Sequence, residues 1–158
     1  MDERSKSRET MPELPLHLVI VQILVVQDKH YLLIRRSAEE DYAPNTLGLP
    51  GGKVDRAVHL DHVLEETARR ELYEEIGIEA QELEYLASKA VHVRGIAVVE
   101  VFFRSRLWLG TPRIADPREV GAIQWMTAEE IRSDPQVPPW IQEIVARAER
   151  PSTNAGHE

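Results

Sequence analysis

The chain contains no cysteine among its 158 residues. Disulfides, thiolate metal sites and cysteine nucleophiles are therefore excluded together. It also lacks any apolar run near the ~18 residues of a membrane span. Leu18 to Val26 follows early basic residues as a leader segment would, but Gln22 interrupts it and Asp28-Lys29 closes it. No small-residue cleavage site follows, so the stretch reads as a strand in a cytoplasmic protein with no membrane partner. Excess basic charge is missing too: 19 Lys and Arg stand against 27 Asp and Glu, a net charge of −8. Contact with a nucleic-acid polymer depends on Lys and Arg neutralising phosphates, so this balance disfavours one. A small polyphosphate is still allowed where a metal ion supplies positive charge locally. Internal repeats and low-complexity segments are absent.

What remains is ordinary globular material, 42% hydrophobic and 29% charged. The length suits one domain with a single core. Residues 1–15 and 151–158 are polar and read as flexible tails around a domain at 16–150. His17–Gln27, rich in Val, Ile and Leu, reads as a strand buried on both faces. Gln27–His30 is a turn, and Tyr31–Arg36 returns as a hairpin partner. Leu47–Pro50 leads into Gly51-Gly52, where missing side chains permit close approach of the backbone to a ligand. A helix is predicted over roughly His62–Ile76, with Asp61 as N-cap and Gly77 as a left-handed stop. Leu64, Ala68, Leu72 and Ile76 form its packing stripe.

Leu83–Arg94 and Ile96–Trp108 are predicted strands joined tightly near Arg94-Gly95. In the second, Ala97, Val99, Val101, Phe103 and Leu107 alternate on a core face. Its other face (Ile96, Val98, Glu100, Phe102, Arg104, Arg106, Trp108) suits either a cleft or a half-exposed sheet. Val120–Met126 is a further strand, Thr127 and Glu130 form a capping box, and Pro138-Pro139 starts a last helix, Trp140–Arg150. Strands, one long helix, more strands and closing helices read as α/β or α+β in layers.

Glu71, Glu74 and Glu75 lie within about one helical turn, where like charges repel by roughly 0.2–0.5 kcal/mol per i,i+4 pair. Such a run is either a solvated helix face or a site for a hard divalent cation, which takes carboxylate oxygens together with substrate phosphates. The surroundings favour the second. Arg70-Glu71-Leu72-Tyr73-Glu74-Glu75-Ile76-Gly77-Ile78 matches every fixed position of R-E-U-x-E-E-x-G-U, U being aliphatic, and follows a Pro-Gly-Gly turn. The stretch resembles the Nudix box of the Nudix hydrolases. Arg35-Arg36, Leu49–Lys53, Trp125 and Pro138-Pro139 add to the likeness, which spans roughly residues 16–150. One half departs from the pattern: Gly52 and Arg70 are 18 positions apart, four more than in the box, and His62 stands where its first Glu would be.

The resemblance implies an α/β/α sandwich around a mixed sheet. It also implies Mg²⁺- or Mn²⁺-assisted hydrolysis of a nucleoside diphosphate linked to another group, in a monomer or homodimer. Residue by residue, it makes Glu71, Glu74, Glu75 and the Gly51 carbonyl metal ligands. Glu71 is also a possible general base, and Arg70 orients the carboxylates. Many members add a distant carboxylate, for which Glu119 and Glu100 are the candidates. Arg35, at a strand end, matches a nucleotide-binding arginine of MutT-type members or is a surface charge. Phe102 could stack on a base and Lys53 could contact phosphate. His62 is a helix-start residue or a ligand. The favoured reaction is a nucleoside triphosphate cleaved to monophosphate and pyrophosphate. Cleavage of ADP-ribose or a nucleotide sugar and nucleotide binding without turnover are the alternatives.

Overall fold

Strand β1 (Leu18–Gln27) carries apolar side chains on both faces and can be buried only with a layer on each side. That is its place in the computed structural model, which describes residues 15–55 and 60–151. β1 runs parallel to β7 (Ile96–Ser105), from the pair Leu18–Val98 to Val25–Ser105. Its other edge is shared between β4 (Gly51–Lys53), opposite its first half, and β2 (His30–Arg36), opposite its last two residues. β6 (Glu84–Val93) pairs with β7, while β9 (Val120–Thr127) and the short β3 (Leu47–Gly48) flank β2 in a mixed seven-stranded sheet. β5 (Glu79–Ala80) and β8 (Trp108–Leu109) form a separate ribbon.

Helix α1 (Val63–Ile76) lies on one face, its Ala68, Leu72 and Ile76 packed with Val21, Ile23 and Val25 of β1. Full burial of Leu72 and Ile76 contributes roughly 1.5–3 kcal/mol each. Helices α2 (Ala128–Ser133) and α3 (Pro139–Ala148) cover the opposite face, where Ile131, Ile141 and Val145 meet Leu24, Leu33 and Phe102. The expected α/β/α layering is thus present. Among the described residues no helix is long and apolar enough to cross a membrane. Apart from Pro15 and Pro151, the expected tails lie outside the described residues.

Local signals give the turns. Asp28 and Lys29 have φ of 48° and 62°, as do Arg94 and Gly95 at 50° and 79°, the twist that two-residue hairpin loops require. Gly77 ends α1 at φ 71°, its N–H reaching the Tyr73 carbonyl while the Ile78 N–H reaches that of Leu72. Thr127 and Glu130 form the capping box. Pro139 opens α3, one residue before the predicted start, as its fixed φ and missing N–H favour.

Three expectations are corrected. His62, not Asp61, caps α1, with a left-handed φ of 54° and no side-chain bond. β7 stops at Ser105, so Trp108 belongs to β8, and Leu107, expected in the core, is 52% exposed. The face of β7 read as either a cleft or a half-exposed sheet is buried at Val98, Phe102 and Arg104, and α3 packs over its second half at Phe102. Arg104 forks onto Glu84 at 2.6 Å and 3.0 Å and donates to the Ala148 carbonyl at 2.8 Å, tying the end of α3 to the sheet.

Candidate active site

The turn before β4 and one side of α1 face each other, and glycine sets how closely. A Cβ on Gly52 would lie 2.4 Å from the Glu71 carboxyl, so only glycine lets the helix side chain rest there. One helical turn on, Glu75 accepts the Gly51 N–H at 3.0 Å. Glu119, just before β9, reaches the same spot from the far end of the chain. One oxygen each from Glu71, Glu75 and Glu119 lies within 4.8 Å of the others. Glu71 and Glu75 are buried.

Burial dominates their ionisation. It pushes the Glu71 carboxyl up to about 7, opposed by the Arg70 guanidinium and reinforced by Glu74, Glu119 and Asp55. Glu75 is raised well above the ordinary range by burial, against the Gly51 N–H and with help from Glu71 and Glu119. The guanidinium of Arg118 sits beside Glu119 in sequence but is spent elsewhere: it grips Asp116 at 3.0 Å and holds that carboxyl below its usual range. The three carboxylates therefore face one another.

Arg70 bounds the cluster. It contacts Glu71 at 3.1 Å, Glu74 at 3.3 Å, Asp55 at 3.1 Å and the Lys53 carbonyl at 3.3 Å, joining helix to turn. Glu74 is half-exposed on this rim and outside the trio, so its partner here is Arg70. Gly51 meets the trio through its N–H, and Lys53 joins through its backbone. Asp55 was not anticipated and has no periodic or motif signal; Gly52 is marked by the Pro-Gly-Gly turn, but its contact with the Glu71 carboxyl depends on where the turn folds back.

The structure places the other expected residues apart from the trio. Arg35 donates to the Asn45 carbonyl at 2.7 Å and to Gln136 at 3.2 Å. Glu100 is half-buried, accepts the Gln22 amide at 3.0 Å and stands 3.7 Å from Lys89. Phe102 is 1% exposed and packs beside Trp140 under α3, with the Lys89 ammonium 5.6 Å from its ring centre, which argues against the expected stacking on a base.

A family model described as the NUDIX domain matches residues 16–148. The chain belongs to the Nudix family. No curated protein matches it. Among solved structures it is similar to a MutT NUDIX hydrolase from Burkholderia pseudomallei, at 24% identity and TM-score 0.71, covering 84% of this chain and 98% of that one. A MutT protein from Methanosarcina mazei Go1 aligns at 24% identity and TM-score 0.70, covering 85% and 94%. The NUDIX domain of Shewanella oneidensis NrtR, solved with ADP ribose, aligns at 21% identity and TM-score 0.67, covering 89% and 92%.

In this Nudix hydrolase α1 is the helix of the Nudix box, and its donor set fits the divalent metal that the family generally uses. The candidate donor atoms are all hard carboxylate oxygens, and a cation bound there would offset the repulsion and the cost of burying charge that raise Glu71 and Glu75. His62 lies outside the cluster at the helix start. Part of the lengthened loop, residues 56–59, lies outside the described residues.

Proposed function

We propose that this protein hydrolyses a nucleoside triphosphate to the monophosphate and pyrophosphate, one water entering across the phosphoanhydride bond, with Mg²⁺ or Mn²⁺. The convergence of Glu71 and Glu75 with Glu119, brought together within 4.8 Å, carries this reading. A divalent cation bound there supplies positive charge to phosphate oxygens and acidifies water. Glu71, Glu75 and Glu119 are the ligands the geometry favours. Glu74 and the Gly51 carbonyl complete the set, Glu74 by leaving Arg70. Glu71, whose carboxyl rests against Gly52 within the cluster, is our choice of general base, taking a proton from water in its ionised form. Arg70 positions it.

On the substrate, Lys53 is assigned to phosphate and Arg35 and Glu100 to the nucleoside. Gln142, three residues past Pro139, donates to the Ile131 carbonyl at 3.2 Å and is not free to read a base. That argues against specificity for oxidised guanine, since MutT itself has an asparagine soon after its Pro-Pro for reading the base, where this chain has Trp140, Ile141 and Gln142. The compartment this reading calls for is the cytoplasm, where nucleotides and Mg²⁺ occur together, and the working unit is a monomer or homodimer.

A second reading, cleavage of ADP-ribose or a nucleotide sugar, is favoured by the likeness to the NrtR domain bound to ADP ribose. A third, binding without turnover, is favoured by His62 and the longer loop. One screen separates them: the purified protein is incubated with a nucleotide library and Mg²⁺ or Mn²⁺, and products are identified. Pyrophosphate from a triphosphate supports the first, two monophosphates the second, and binding with unchanged ligand the third. Glu74→Gln should abolish turnover with the fold intact; full activity in that variant removes Glu74 from the ligand set.

A further inference from the structure

Glu71 and Glu75 share a helix, whereas Glu119 arrives from a separate segment, residues 110–119. α1 ends with two acids and no basic residue in its last turn, an order that the helix dipole disfavours. Its final carbonyls also need donors. The N–H groups of Gly77 and Ile78 take the carbonyls of Tyr73 and Leu72. Two more are met from the segment: the Ala115 N–H donates to the Glu75 carbonyl and the Arg113 N–H to the Ile76 carbonyl, each at 3.0 Å. Glu75 thus holds the segment with its backbone and the site with its carboxylate.

The Arg113 side chain lies over Gly77, where a Cβ would come within 3.1 Å of its Nε and 3.2 Å of its Cζ. This brings a positive charge to the helix end that has none of its own. From Ala115 the chain reaches Glu119 through a turn in which the Glu119 and Val120 N–H groups donate to the Asp116 carbonyl at 3.2 Å and 2.9 Å.

We propose that residues 110–119 act as a latch, with Arg113 and Ala115 as positioning residues that set Glu119 against Glu71 and Glu75 by docking on the end of α1. The inference rests on reading those carboxylates as cation ligands. A competing anchor exists: the Glu119 carbonyl accepts the Ser37 N–H at 2.9 Å, and Val120 pairs with Arg36, so the sheet alone could hold Glu119.

The test is Mn²⁺ binding to the full chain without nucleotide, followed by the electron paramagnetic resonance of free Mn²⁺. Glu119→Gln, Ala115→Pro, which deletes the N–H to Glu75, and Arg113→Ala are compared singly and combined. Glu119→Gln and Ala115→Pro should each weaken binding roughly 10-fold or more, and Arg113→Ala about 3-fold, as supporting groups around a metal site do. In the Glu119→Gln background neither latch variant should cost a further ~2-fold, because each acts through that carboxylate. Near-ultraviolet circular dichroism checks folding, and Arg113→Ala decides alone if Ala115→Pro does not fold. Equal losses with and without Glu119, or none from the latch variants, overturn the latch and leave the proposed activity standing. Wild-type binding in Glu119→Gln removes the ligand reading and the latch with it.

Discussion

Replacing Glu71 with glutamine should stabilise the metal-free protein at about pH 8 far more than at about pH 5. Glutamine keeps the shape of a protonated glutamate but cannot ionise. In the folded protein burial holds the Glu71 proton up to about 7, against 4.5 for a free side chain. As pH rises above 4.5 the unfolded chain releases this proton first, so wild-type stability falls until pH passes about 7 and then levels off. At about 1.4 kcal/mol per pH unit the full displacement corresponds to roughly 3 kcal/mol, and residual contact with water lowers that to about 1–2 kcal/mol. For a domain of this size, that is a difference of roughly 2–8 °C in melting temperature between the two pH values. Thermal melts of wild type and Glu71→Gln in chelator, at both pH values, measure the quantity as a difference of differences. Titrations remote from the cluster cancel because both proteins share them, and Glu75, which Glu71 helps to raise, shifts the difference in the same direction. An offset that is equal at the two pH values, or larger at the acid one, would refute the claim that burial sets the Glu71 carboxyl.

The same electrostatics predicts that Mg²⁺ or Mn²⁺ raises the melting temperature above pH ~7 and does so weakly near pH ~5, where protons hold the carboxylates; chelator should reverse the gain, and a pH-independent gain counts against these ligands. Gly52→Ala places a methyl group 2.4 Å from the Glu71 carboxyl. Displacing that group by about 1 Å should cost roughly 10²-fold in turnover, measured as kcat in a fold-checked variant. Thr127→Ala removes the hydroxyl that accepts the Glu130 N–H at 3.2 Å. It should cost about 1 kcal/mol in a urea melt and leave turnover unchanged, since α2 lies across the sheet from the carboxylates.

What could be read from the sequence divides by the range of the interaction. The left-handed stop at Gly77, the Thr127–Glu130 cap and the Asp28-Lys29 turn each depend on a few adjacent residues, and each stands where expected. Glu71 and Glu75 were also legible, since a helical period of 3.6 residues puts positions four apart on one face. The same period sets Glu74 about 60° from Glu71 and about 100° from Glu75, on the side of Arg70, with which it ends on the rim. Misreadings arise where a distant element decides. Alternation along β7 identifies two faces but not which helix covers each, and α3, more than thirty residues on, turns Phe102 from a cleft residue into core. Glu119 lies between these limits. It could be proposed because the family resemblance implies a further carboxylate from a distant loop or strand. Its approach to α1 rests on backbone donors at Arg113 and Ala115, which every residue but proline carries and no sequence pattern can mark.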